Sequence, residues 1–125
     1  MIAIVDDDTS VRDATKHLIR SLGYAAVTFA SAEEYLRSDI IDGTSCLITD
    51  LRMPGMSGIE LLERLIADGH RIPVIFMTAF FDDNIRRRTL RAGAFGFLNK
   101  PFEDASLIRC LDRALNGDEA GLTPQ

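Results

Sequence analysis

The sequence predicts an α/β fold: one sheet of five parallel strands, doubly wound, with helices on both of its faces. Short apolar runs alternate five times with amphipathic stretches along the chain, which is the pattern of successive β–α units. The first run, residues 2–5, is continuously apolar, as expected of a strand that is covered on both faces. Right-handed crossovers then join neighbouring units, although periodicity alone does not give the strand order.

Each predicted strand is a short apolar run that ends where polar residues begin. The first stands directly before three consecutive aspartates, and the third ends at Asp50. The fourth follows Pro73 and ends at Thr78, and the fifth ends just before Lys100. The predicted strands are residues 2–5, 25–29, 46–49, 74–77 and 95–98.

The first two predicted helices carry clear start and stop signals. Apolar residues at helical spacing follow the first strand until Gly23, and Asp8 or Thr9 stands where a cap belongs. After the second strand, Ser31 with Glu34 three residues later is the pattern of a capping box. It predicts a short helix that ends near residue 38.

The last three helices follow the same logic. The third comes after the turn-rich stretch RMPGMSG and ends near Gly69, and the fourth begins with Asp82 and Asp83 and runs to Gly93. The fifth spans residues 104–116. The apolar residues expected on one side of the third helix are Ile59, Leu62, Leu65 and Ile66.

Composition limits the classes of function. A chain of 125 residues with 46% hydrophobic and 26% charged residues has the size and composition of one folded domain. Its net charge of −5 gives no support to direct contact with nucleic acid. We find no apolar run of membrane-spanning length and no signal peptide, so we expect a cytoplasmic protein. Cys46 and Cys110 lack motif spacing and are expected to be buried thiols.

Charged and hydroxyl side chains gather at one edge of the predicted sheet. The acids at 6–8 follow the first strand, Asp50 ends the third, Thr78 ends the fourth and Lys100 follows the fifth. Because the carboxyl ends of parallel strands meet at the same edge, these side chains should converge there. Two carboxylates about 4 Å apart repel by roughly 4 kcal/mol at an effective dielectric near 20, so a cation is expected among them.

The residue types indicate phosphoryl chemistry. A few facing carboxylates completed by water favour Mg²⁺. A carboxylate such as Asp50 can accept a phosphoryl group, and the transfer then needs mainly positioning and charge stabilisation. Lys100 suits a pairing with the carboxylate before transfer and with a phosphoryl oxygen after it, and the Thr78 hydroxyl can donate to that oxygen.

Four motifs in order resemble the receiver domain of two-component response regulators. They are VDDD after the first strand, TDLRMPGMSG after the third, MTA after the fourth and NKPF after the fifth. The separations from Asp50 to Thr78 (78 − 50 = 28) and from Thr78 to Lys100 (100 − 78 = 22) are similar to those of FixJ-like receivers. The resemblance covers residues 1 to about 116 and implies a flavodoxin-like receiver fold, which we assign to residues 1–118.

The resemblance also implies roles for the residues at this carboxyl edge of the sheet, which we call the rim. Asp50 matches the phosphorylated aspartate. Asp7 matches the direct Mg²⁺ ligand, and Asp6 matches the acid that reaches the metal mostly through water. The main-chain carbonyl of Arg52 matches a further ligand, so the identity of its side chain matters little to the metal.

The same likeness implies a switch. Thr78 and Phe97 match the pair in which the hydroxyl moves to the phosphoryl group and the ring follows it inward. Lys100 matches the family's lysine, and the peptide bond between it and Pro101 is cis in most relatives.

Ordinary structural explanations stay open for several residues. A helix cap explains Asp8 fully, Thr78 is a common β-branched strand residue, and Phe97 in a strand is a typical core residue. The arginines within residues 86–91 form either a solvated helix face or a docking surface for an acidic partner.

Two features depart from the family pattern. Phe80 and Phe81 follow Thr78-Ala79 where relatives often carry small or polar residues, and we expect Phe80 to shield the phosphoryl group from water. The tail, residues 119–125, resembles the start of a linker to a helix-turn-helix output domain. We therefore expect this receiver to belong to a longer protein whose DNA-binding half is missing.

The functional prediction is a signalling switch that catalyses only its own phosphotransfer and dephosphorylation. A histidine kinase donates a phosphoryl group to Asp50, and the altered conformation controls a transcription output, with homodimerisation on phosphorylation. The domain itself contacts no nucleic acid or membrane. One alternative is a haloacid-dehalogenase-like phosphatase with Asp6 as nucleophile, which leaves Asp50 without a role. Another is a pseudo-receiver that binds partners without phosphate.

Overall fold

Strands and helices alternate through the chain in the predicted order. The computed structural model describes residues 1–79 and 82–116. The strands are β1 (Ile2–Val5), β2 (Ala26–Phe29), β3 (Cys46–Asp50), β4 (Val74–Thr78) and β5 (Gly96–Asn99). The helices are α1 (Thr9–Ser21), α2 (Ala32–Arg37), α3 (Gly58–Ala67), α4 (Asp83–Ala92) and α5 (Asp104–Leu115).

The five strands form one parallel sheet in the order β2-β1-β3-β4-β5. β1 and β3 are neighbours at the middle of the sheet, and β4 lies between β3 and β5. The order reverses direction between β1 and β3, which makes the carboxyl edge there a crevice suited to a ligand. The predicted fold class is confirmed, and the structure adds the order that periodicity left open.

Helix ends are capped as their sequences predict. The Asp8 side chain accepts hydrogen bonds from the main-chain N–H groups at positions 10 and 11, so it is the cap of α1. Ser31 accepts the N–H of Glu34 at the start of α2. Asp82 caps α4, and Gly93 ends it with a φ of +108°. These local bonds satisfy donors that helix ends leave without partners.

Apolar side chains fill both faces of the sheet. α2, α3 and α4 cover one face and α1 and α5 cover the other, which is the doubly wound arrangement. Successive residues of each strand point to opposite faces. Strand residues on the α2–α3–α4 side include Ala3, Val5, Leu47, Val74 and Phe76, and those on the α1–α5 side include Ile2, Ile4, Cys46, Ile48, Ile75 and Met77.

The apolar side predicted for α3 is only partly covered. Ile66 is 52% exposed, whereas Leu61 is fully buried together with Leu65. Apolar residues cover more than half of the circumference of α3. The angle at which the helix crosses the sheet decides which part of that surface is buried. Within the described ranges, no helix has both the length and the apolar character that a bilayer crossing requires.

Candidate phosphoryl-acceptor site

Lys100 joins the ends of two strands at the carboxyl edge of the sheet. Its ammonium donates to Asp6 Oδ2 at 2.8 Å and to Asp50 Oδ2 at 3.1 Å. The main-chain N–H of Lys100 donates to the carbonyl of Thr78 at 2.7 Å, which ties the end of β5 to the end of β4. The peptide bond to Pro101 is cis, as the resemblance implies. One cation therefore neutralises two carboxylates from different strands.

Asp6 is the deepest acid of the rim and is fully buried. Its Oδ1 accepts the N–H of Asp8 at 2.9 Å, so each carboxylate oxygen has a donor. Arg12 of α1 donates from Nη1 to the main-chain carbonyl of Asp6 at 2.7 Å. Sequence reasoning missed Arg12, because an arginine near the start of a helix carries no signal of the carbonyl it contacts.

Asp50 ends β3, which lies in the middle of the sheet, and remains 9% exposed. Its Oδ1 accepts the N–H of Arg52 at 3.4 Å, a long hydrogen bond. The start of α3 packs against its backbone: a Cβ at Gly58 would lie 2.5 Å from the carbonyl oxygen of Asp50. The side chain thus faces the rim on a backbone that close packing holds in place.

Burial and charge act together on the titration of this pair. Burial raises the pKa of Asp50 above its ordinary value, while the hydrogen bond from Lys100 opposes that rise. Burial would lower the pKa of Lys100, but the hydrogen bonds to Asp6 and Asp50 outweigh it and raise that pKa. Lys100 is therefore a firmly held cation at neutral pH.

Three carboxylates at the rim are close enough to share a cation. Asp6, Asp7 and Asp50 each offer an oxygen, and these oxygens lie within 4.8 Å of one another. The set contains only hard oxygen donors, and Asp7 faces solvent, so waters can complete the shell. This donor set fits Mg²⁺. Arg52 follows two residues after Asp50 in the loop that leaves β3.

Thr78 and Phe97 lie on β4 and β5, the two strands that follow β3 toward one edge of the sheet. Thr78 is buried at the end of β4, one residue beyond Met77, which pairs with Asp50 across the sheet. Phe97 of β5 pairs with Phe76 of β4 and is half-buried against the core on the α2–α3–α4 side. The structure therefore brings both proposed switch residues to the strands beside the rim, and Phe97 is also a core contact.

Two features singled out in the sequence cannot be placed. Phe80 and Phe81 lie outside the described residues, and so does the tail from residue 117 onward. The proposed shielding role of Phe80 and the proposed linker stay predictions. The arginines of α4 are exposed, in agreement with either explanation offered for them.

The sheet order and acidic rim are those of the CheY-like receiver fold. Residues 2–112 match the family model of the response regulator receiver domain. The chain belongs to this family of two-component signalling domains.

Relatives and solved structures agree. The chain is 39% identical over 118 residues to Nodulation protein W of Bradyrhizobium diazoefficiens, covering 94% of this chain and 52% of that protein. It is 38% identical to Transcriptional regulatory protein FixJ of Azorhizobium caulinodans, covering 91% of this chain and 54% of that protein. A response regulator receiver protein from Pseudoalteromonas atlantica superposes with a TM-score of 0.85 at 34% identity, covering 93% of this chain and 97% of that structure.

These similarities decide between the competing classes of function. The prediction of a FixJ-like receiver is confirmed, and the phosphatase alternative is not favoured. The chain spans about half the length of the curated relatives it matches. What a longer protein would do, and with which partners, is therefore a matter of proposal.

Proposed function

We propose that this domain is a phosphorylation-activated switch whose Asp50 accepts a phosphoryl group from a histidine kinase. The observation that supports it most is the position of Asp50 on a central strand, in contact with Lys100 and within reach of the carboxylates of Asp6 and Asp7. A nucleophilic carboxylate needs a charge-neutralising surrounding and an open approach, and this rim offers both.

The proposed transfer makes one bond and breaks one. A carboxylate oxygen of Asp50 forms a bond to phosphorus, and the bond between phosphorus and the donor's imidazole nitrogen breaks. That nitrogen keeps the electron pair and takes up a proton. Lys100, which contacts Asp50 Oδ2 beforehand, then stabilises a phosphoryl oxygen. The domain in this proposal turns over only its own phosphoryl group.

Mg²⁺ is the proposed cofactor. Asp7 and Asp50 would hold it directly, with the Arg52 carbonyl as a third ligand and Asp6 mostly through water. When bound, the ion neutralises negative charge on the carboxylates and the phosphoryl oxygens. The close approach of the three carboxylates supports this assignment.

The proposed response uses the strands on the other side of Asp50. The Thr78 hydroxyl donates to a phosphoryl oxygen, and the Phe97 ring moves inward to occupy the space that this leaves. Because the phosphoryl group has this partner in one state only, it shifts the population toward that state. The surface near β5 then changes, which supports homodimerisation and control of a DNA-binding output domain elsewhere in a longer protein. A cytoplasmic location stays a prediction.

The direct test is covalent labelling followed by intact-mass measurement. We expect incubation with acetyl phosphate and Mg²⁺ to add one phosphoryl group to the wild type and none to Asp50→Asn. Asp39→Asn, which removes an exposed carboxylate from the connection between α2 and β3, should label like the wild type. Labelling that survives in Asp50→Asn and disappears in Asp6→Asn would instead favour the phosphatase alternative.

A further inference from the structure

The segment from Leu51 to Ser57, which we call the β3–α3 loop, is held at both of its ends. The N–H of Leu51 donates to the carbonyl of Met77 at 2.9 Å, and the N–H of Gly58 donates to the carbonyl of Leu51 at 3.0 Å. Ser57 shares a reciprocal pair of hydrogen bonds with Glu60 at the start of α3. These bonds fix the loop where it leaves β3 and where it enters α3.

Glu33 of α2 reaches the middle of this loop from another element. Its Oε2 accepts the N–H of Met56 at 3.1 Å, across 23 positions of sequence. Gly55, with a φ of +77°, makes room for it, because a Cβ there would lie 2.5 Å from the same oxygen. The glycine therefore serves two needs, the left-handed turn and the close approach of the carboxylate.

The charge state of Glu33 suits this contact. The main-chain N–H groups of Glu33 itself and of Met56 lower its pKa, and nearby Arg37 lowers it further. Its other oxygen, Oε1, is buried and has no hydrogen-bond partner among the described residues. Of the two carboxylate oxygens, Oε2 is therefore the one that holds the loop.

We propose that Glu33 is a positioning residue of the metal site. By holding Met56, it fixes the β3–α3 loop, which carries the proposed metal ligand, the main-chain carbonyl of Arg52. The inference rests on the proposed function, in which that carbonyl is a ligand of Mg²⁺. Groups that orient metal ligands matter almost as much as the ligands, and α2 would supply such a group here.

The test is a titration with MgCl₂ alone, followed through the main-chain amide resonances of the folded protein. Glu33→Asp keeps the charge but shortens the reach by one methylene, and Glu33→Gln keeps the reach but removes the charge. We expect Glu33→Asp to weaken Mg²⁺ binding about tenfold, near the lower end of what loss of ligand support costs. Glu33→Gln should stay within about threefold of the wild type by the same reasoning.

Glu34 provides the matched control because it is the next residue of α2 and is exposed. Glu34→Asp and Glu34→Gln should bind Mg²⁺ like the wild type. The Met56 amide resonance should shift in Glu33→Asp before any metal is added. Melting temperatures recorded for all variants separate a general loss of stability from a change in metal affinity.

Two results would overturn the inference. One is equal Mg²⁺ affinity in Glu33→Asp and Glu34→Asp, and the other is a large loss in Glu33→Gln without one in Glu33→Asp, which would assign the effect to charge. In both cases the wild type still binds Mg²⁺, so the proposed function stands. If the wild type shows no saturable response to Mg²⁺, the proposed metal site and this inference fail together.

Discussion

The two ends of β3 differ in how much space the surrounding structure leaves for an added side chain. At the amino end, the turn that contains Gly43 has open space where a side chain would be. At the carboxyl end, a Cβ at Gly58 would lie 2.5 Å from the carbonyl of Asp50 and 2.9 Å from the Phe76 ring. The comparison indicates that close backbone packing, as well as the hydrogen bonds of its side chain, holds Asp50 in place.

The largest expected effect comes from adding one methyl group at the tight end. We expect Gly58→Ala to lower the free energy of unfolding by about 2–3 kcal/mol, because the obstacle is mainly backbone and cannot rotate away. The extent to which acetyl phosphate labels Asp50 should fall together with this free energy. Gly43→Ala should leave stability unchanged or raise it by about 0.5 kcal/mol, since its backbone angle suits alanine. Urea unfolding followed by circular dichroism measures both, and equal losses would remove the contrast between the two ends.

A second contrast concerns charge at the rim and charge at the surface. Lys100 is 16% exposed and faces two carboxylates, whereas Lys16 of α1 lies 3.8 Å from the exposed Asp13. Lys100→Met leaves Asp6 and Asp50 without their shared cation. We expect a loss of about 2 kcal/mol, less than the 3–5 kcal/mol of a fully buried pair because the rim is open to water. Lys16→Met should cost under about 0.5 kcal/mol.

Mg²⁺ sharpens this test. If the proposed metal site exists, added Mg²⁺ should restore part of the stability that Lys100→Met loses, since a second cation then offsets the same repulsion. The measurement is urea unfolding with and without MgCl₂. A variant as stable as Lys16→Met in the absence of the ion would show that the carboxylates do not need Lys100.

The fold and the residues of the rim could be predicted from the sequence for one physical reason. Parallel strands covered on both faces leave uninterrupted apolar runs, and their carboxyl ends share an edge, so Asp50, Thr78 and Lys100 could be placed together without knowing the strand order. Their family roles came from the resemblance. The structure adds the distances, above all that Lys100 contacts both Asp6 and Asp50.

Other features required three dimensions. The exposure of Ile66 could not be predicted, because apolar residues cover so much of α3 that packing alone decides which of them are buried. Arg12 on the carbonyl of Asp6 and Glu33 on the N–H of Met56 are side-chain contacts to the main chain. Such contacts depend on reach and direction rather than on residue type, so a single sequence carries no pattern for them.

The prediction with the smallest effect at neutral pH concerns the titration of Cys46, which is fully buried at the amino end of β3. Burial raises the pKa of its thiol to about 12 from an ordinary value of 9.0. The folded chain therefore keeps this proton over a pH range in which the unfolded chain has released it. Because the unfolded state then binds fewer protons, stability is intact below about pH 9 and falls as the pH rises toward 12.

The contribution of this thiol can be separated from other groups that titrate at alkaline pH by comparison with Cys46→Ala. The stability of the wild type should decrease more steeply above pH 9 than that of the variant, whatever their difference at neutral pH. A thiol reagent at mildly alkaline pH should modify Cys46 only after urea unfolds the chain, since the thiolate is the reactive form. Rapid modification in the folded protein, or parallel stability curves, would mean that this end of β3 opens to solvent as readily as the rim at the other end.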